Sequence, residues 1–155
     1  MIYHELIVLF KASEKRKRIA IVDDESDLAE LFSEGLQCAG LKAIAFDDPI
    51  AALEHIAANP REFSMVITDW KMPKMNGIEL TKKLSEIDGK IRVMLISAYE
   101  LEEEQLRDLG KQEYLRKPMH IAKLIETVKT ELERIEEEEQ PKKQTIRRNL
   151  KMSLV

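Results

Sequence analysis

Six polar residues in this chain stand directly after short apolar runs. Asp23, Asp24 and Glu25 follow Ile19–Val22, Asp69 follows Ser64–Thr68, Ser97 follows Ile91–Ile96, and Lys117 follows a brief run beginning at Glu113. Carboxylates gathered on one edge repel one another, and the arrangement is costly unless a cation neutralises it. A hard, oxygen-seeking divalent ion is the natural counter-charge, and Mg²⁺ takes one or two carboxylates together with waters and phosphate oxygens. Lys117 offers a point charge and Ser97 a hydroxyl donor, both suited to the equatorial oxygens of a phosphoryl group. Little else is required, because phosphoryl transfer rests on positioning and electrostatic stabilisation. The set describes a carboxylate that can be phosphorylated beside a metal ion. Duller readings exist for single residues: one of Asp23 and Asp24 could cap a helix, and Asp69 alone could be a turn residue.

Convergence of these side chains needs elements that end at one edge. The apolar runs at 19–22, 41–46, 63–68, 91–96 and 113–115 read as strands. Between them lie helical patterns. Ser26 can cap the first, in which Leu28, Leu31, Phe32, Leu36 and Ala39 form the inner stripe and Gly40 is the stop. Pro49 to Ala58 forms the second, with Pro49 in its first turn. Asn76 opens the third, with Ile78, Leu80, Leu84 and Ile87 on or near its inner face. Leu101 to Leu109 is a short fourth, ended by Gly110, and a long fifth runs from about His120 to Glu138. Five β-α units with apolar strands imply an α/β fold, an open doubly wound parallel sheet with helices on both faces. In such sheets ligands bind at the carboxyl ends of strands, where the strand order reverses.

Composition narrows the class. The chain has 155 residues, 44% hydrophobic and 35% charged, with only 5% aromatic, so one mostly aliphatic core is expected. A single cysteine, Cys38, excludes a disulfide framework and a cysteine-based zinc site. It reads as a small packing residue. His4, His55 and His120 lack ligand spacing. No apolar run approaches the roughly 18–20 residues of a membrane span, and residues 1–10 lack the basic start of a signal peptide, so a cytoplasmic protein without membrane association is expected. The formal charge of −4 is unevenly spread. Residues 141–155 carry Lys142, Lys143, Arg147, Arg148 and Lys151 without an acid, leaving 20 basic against 29 acidic side chains elsewhere. Glu136–Glu139 form an acidic run, and Lys15–Arg18 a basic one. Such runs are usually solvated faces.

Four segments in order resemble the receiver domains of two-component response regulators: Val22-Asp23-Asp24-Glu25, Asp69-Trp70-Lys71-Met72-Pro73-Lys74-Met75-Asn76-Gly77, Ile96-Ser97-Ala98, and Gly110 followed by Tyr114-Leu115-Arg116-Lys117-Pro118. The resemblance covers residues 18–138, between an extension at 1–17 and a basic tail at 139–155. It implies a flavodoxin-like sheet of strand order 2-1-3-4-5. It also implies that Asp69 is the phosphoacceptor, and that Asp23, Asp24, Asp69 and the backbone carbonyl of Lys71 hold Mg²⁺. Ser97 would hydrogen-bond the phosphoryl group and Lys117 would pair with it, aimed by a cis peptide before Pro118. Ser97 and Tyr114 would form the switch, while Pro118 and Gly77 are structural. The implied donor is a sensor histidine kinase or a histidine phosphotransfer protein.

Departures from the family pattern carry their own expectations. Ser97 replaces the commoner threonine and keeps the donor. Lys111 stands where alanine is usual, and the stretch from Ser97 to Lys117 is about two residues short, so the fourth helix should be short or irregular. Lys71 and Tyr99, each two residues past a site residue, should obstruct in-line hydrolysis and prolong the life of the phosphoryl group. Residues 139–155 are too few for a helix-turn-helix module. The reading is a stand-alone receiver, not an enzyme, that switches its surface for an unknown downstream protein, with a homodimer possible. The alternative is a nucleic-acid-binding regulator acting through the basic tail. A metal-dependent phosphatase is disfavoured because that family places a second aspartate where this chain has Lys71.

Overall fold

A computed structural model describes residues 2–7, 18–110 and 112–154, with side chains described outside 140–147. In chain order the elements are β1 (Arg18–Val22), α1 (Ser26–Cys38), β2 (Lys42–Phe46), α2 (Pro49–Ala58), β3 (Phe63–Asp69), α3 (Gly77–Ile87), β4 (Arg92–Ser97), α4 (Glu103–Leu109), β5 (Glu113–Arg116) and α5 (Ile121–Ser153). The strands form one all-parallel sheet of order β2-β1-β3-β4-β5. This is the doubly wound, flavodoxin-like order expected. The chain divides into two units, Met1–Ile121, which holds the sheet, and Ala122–Val155, which holds the greater part of α5.

The central strands bury both faces, which is why they read as unbroken apolar runs rather than as alternating ones. One face carries Ala20, Val22, Val66 and Val93, packed with Ala52 and Ile56 of α2 and Leu80 and Leu84 of α3. Ile19, Ile21, Met65, Ile67 and Met94, pointing the other way, are equally buried. Parallel register then carries the strand ends to one edge. Val22 lies opposite Thr68, Asp69 opposite Ile96, and Ser97 opposite Arg116. The chain leaves β1 for β2 on one side and returns to β3 on the other, so the crevice between β1 and β3 opens where Asp23 and Asp69 emerge.

Four expectations about the helices change. Cys38, at the end of α1, is exposed and not a packing residue. Ser26 is the first residue of α1 and not its cap; Glu25 holds that place without a side-chain bond, and its carbonyl accepts from the N–H groups of Leu28 and Ala29. The side chain serving this turn is Asp23, whose Oδ1 accepts from the Glu25 N–H at 3.0 Å. Leu31 is 56% exposed, because the buried face of α1 is Ala29, Phe32, Ser33 and Leu36, centred about 150° around the helix from it. Ile87 lies at the rim of α3, while Ile78, Leu80 and Leu84 are buried. The fourth helix is short, at seven residues, and ends at Gly110, whose φ of 70° suits glycine.

Residues 2–7 are helical. The expectations for residues 8–17 and for Lys111 lie outside the described residues. In the second unit, α5 continues past Glu138 to Ser153, a single helix of 33 residues. Among its described side chains Leu124, Val128 and Glu131 are buried, at the spacing of one helix face. Among the described residues no helix is long and apolar enough to cross a membrane.

Candidate functional site

Asp69 ends β3, and the chain beyond it is held on two sides. The Trp70 N–H donates to the Ile96 carbonyl at 3.1 Å, and the Trp70 carbonyl accepts from the Gly77 N–H at 2.7 Å. Gly77 lets α3 begin against the strand end. A Cβ there would lie 2.3 Å from the Asp69 carbonyl oxygen and 2.5 Å from Leu95 Cδ1. Gly77→Ala is therefore expected to cost about 2–3 kcal/mol by overpacking and to displace the Asp69 backbone. Urea denaturation checks it, and an unchanged midpoint would show that the strand end has room.

Between these points the loop is fixed by polar contacts. Asn76 caps α3, its Oδ1 accepting from the Glu79 N–H at 2.9 Å. Lys74 sits at φ 72°, a conformation uncommon for a residue with a Cβ. Its ammonium lies 3.0 Å from Asp48 Oδ2, and the Asp48 Oδ1 caps α2 through the Ile50 N–H at 2.9 Å. The hydrogen bond from Lys74, then that from Ile50, lowers the Asp48 pKa. The loop after β3 is thus tied to the loop after β2.

Asp23, Asp24 and Asp69 each bring a carboxylate oxygen within 4.8 Å of the others. Asp23 is buried, Asp24 exposed and Asp69 half-buried. The donor set is all hard oxygen and fits a divalent cation such as Mg²⁺. Lys117 reaches into the same space, its Nζ 2.9 Å from Asp23 Oδ2 and 3.3 Å from Asp69 Oδ1. Its backbone N–H donates to the Ser97 carbonyl at 2.8 Å, and the Lys117–Pro118 peptide is cis. Burial, then the charge of Asp23, raises the Asp69 pKa above the ordinary carboxylate value, with Lys117 opposing. Burial would lower the Lys117 pKa, but the hydrogen bond and charge of Asp23, with those of Asp69, more than offset it and leave it raised.

Beside this cluster Ser97 is buried, and its Oγ accepts from the Tyr99 N–H at 3.0 Å. The Tyr99 carbonyl accepts from Tyr114 Oη at 2.7 Å. The Tyr114 ring packs with Trp70 against Ile78, Leu95, Leu101 and Leu109. Outside them, Lys71 Nζ stands 3.9 Å from the centre of the Tyr99 ring and 5.2 Å from that of Trp70. Lys71 and Tyr99 are thus in mutual contact. The Lys74–Asp48 link and the two-sided hold on Tyr99 escaped the sequence reading. Asp48 before Pro49 is a visible cap signal, but nothing local says what else its carboxylate meets.

Residues 19–129 match the family described as "Response regulator receiver domain". The chain is 31% identical over 117 residues to the response regulator receiver protein CpdR of Brucella abortus (strain 2308), covering 72% of this chain and 93% of that protein. It is 30% identical over 110 residues to ARR21, named as a two-component response regulator of Arabidopsis thaliana, covering 71% of this chain but only 18% of that protein. A similar solved structure is a CheY-like response regulator receiver domain protein from Methanospirillum hungatei JF-1. Its TM-score is 0.72 at 25% identity, over 79% of this chain and 98% of that one.

Proposed function

The chain belongs to the response regulator receiver domain family, and on that premise we propose that it is a single-domain response regulator phosphorylated on Asp69. The observation that carries this reading is the Lys117 ammonium set between Asp23 and Asp69, in a cluster whose three carboxylates lie within 4.8 Å of one another. Asp23, Asp24, Asp69 and the Lys71 carbonyl would hold Mg²⁺. When bound, the ion offsets the carboxylate repulsion and withdraws charge from the phosphoryl oxygens. An Asp69 carboxylate oxygen attacks the phosphorus of a phosphohistidine, a P–O bond forms as the P–N bond breaks, and the imidazole leaves with a proton. Lys117 pairs with one phosphoryl oxygen and the Ser97 hydroxyl donates to another, while Tyr114 reports the change to the surface.

The donor is a sensor histidine kinase or a histidine phosphotransfer protein, and the output is contact with a downstream protein. That the match spans 93% of CpdR, a receiver protein, supports a single-domain role. The receiver's part is that of a signalling phosphoacceptor rather than of a turnover enzyme. Incubation with Mg²⁺ and acetyl phosphate should add one phosphoryl group by intact mass, and a chelator should prevent it. No Mg²⁺-dependent gain would remove the assignment.

Lys71 and Tyr99 lie two residues past Asp69 and Ser97 and are in contact, Lys71 Nζ 3.9 Å from the Tyr99 ring centre, and this pairing supports a role for them in hindering an attacking water. The aspartyl phosphate is therefore expected to outlast seconds. Lys71→Ala combined with Tyr99→Ala should speed its loss about tenfold, equivalent to roughly 1.4 kcal/mol of barrier. Phos-tag decay measures this, and equal decay of the two proteins would remove the shielding role.

A further inference from the structure

The charges of α5 fall into two blocks. From 131 to 139 the chain has Glu131, Glu133, Glu136, Glu137, Glu138 and Glu139 against Arg134 alone. From 140 to 154 it has Lys142, Lys143, Arg147, Arg148 and Lys151 and no acid. One helix, Ile121–Ser153, runs through both blocks, with Pro141 near their boundary. Glu133, Glu136, Glu137, Arg148 and Lys151 are exposed. Within each block like charges recur at three and four residues, a spacing that destabilises an isolated helix. No acid lies within one turn of Arg148 or Lys151 in the sequence. The segment also lies beyond residue 129, where the receiver match ends.

We propose that this part of α5 is an interaction surface for a second copy of the chain, the two helices running antiparallel and centred near residue 142. Glu136 then lies level with Arg148 of the other copy, and Glu133 with its Lys151. Each acidic block meets a basic one over about 27 Å of helix. A parallel pair would set like against like. A nucleic acid or an anionic membrane lying along the helix would match the basic block but meet the acidic one beside it, whereas a second copy satisfies both.

Sedimentation of the full chain tests the pairing. A dimer is expected at low salt, its Kd rising at least about tenfold between roughly 0.05 M and 0.5 M salt as the charges are screened. The triple variants Arg147→Glu/Arg148→Glu/Lys151→Glu and Glu133→Lys/Glu136→Lys/Glu137→Lys should each be monomeric, and an equimolar mixture should restore a dimer. Unchanged circular dichroism and unchanged Asp69 phosphorylation establish that the variants fold. A wild-type monomer at low salt would overturn the proposal. So would a dimer that strengthens with salt, one indifferent to both variants, or salt-sensitive binding of a DNA duplex by monomeric chain.

Discussion

Replacing Asp69 by asparagine should abolish the Mg²⁺-dependent mass gain and, in the presence of a chelator at neutral pH, make the protein more stable. Loss of the reaction follows because the amide has no anionic oxygen to attack phosphorus. The gain in stability follows from where the carboxylate sits. It is partly buried and close to Asp23, and together these raise its pKa from 3.8 in spite of Lys117. A carboxyl whose folded-state pKa is raised contributes stability that is full below the unfolded-state pKa. That contribution is lost as pH rises through the folded-state value. At pH 7 the wild type has therefore lost it, and asparagine, which never ionises, has not. The variant should have the higher Tm at pH 7, with the advantage shrinking as pH falls toward 4. A lower Tm for the variant at pH 7 in chelator would contradict the electrostatic account while leaving the phosphoacceptor role untouched.

Lys117→Met has the opposite sign. The Lys117 ammonium is the cation bonded to both Asp23 and Asp69, and the side chains are only 16%, 4% and 14% exposed respectively. Methionine keeps the length of the chain and removes the charge, leaving two buried carboxylates facing each other. Breaking such a pair from one side costs about 3 kcal/mol or more. Mg²⁺ replaces the missing charge, so it should stabilise this variant more than it stabilises the wild type. Urea melts with chelator and with Mg²⁺ give the difference directly. Equal responses to the metal would show that Lys117 and the ion do not share the same two carboxylates. Asp69→Asn placed on top of Lys117→Met should recover part of the loss, because the two changes act on one contact and do not add.

The positions of Asp23, Asp69, Ser97 and Lys117 were legible because each follows an apolar run, and parallel pairing leaves such ends at one edge. The strand order came with the family resemblance, and the register that aligns Asp69 with Ile96 was visible only in the structure. Other details depend on neighbours distant in the chain. Leu31 fits a helical apolar stripe, yet the stripe that is buried centres on Phe32 and Leu36. Ser26 is a good cap by type, but the Asp23 carboxylate reaches the turn first. Lys74 adopts a backbone conformation that its own residue type disfavours, and its partner Asp48 lies 26 residues earlier. Spacing within a segment cannot register a contact of that range.

The sheet has two outer strands, and neither invites another strand. β5 is four residues long with a charged residue at each end, Glu113 and Arg116, and β2 is five residues long with Lys42 exposed at its start. Short, charged margins of this kind discourage edge-to-edge growth between molecules. Copies of this chain are therefore expected not to add strand to strand at high concentration.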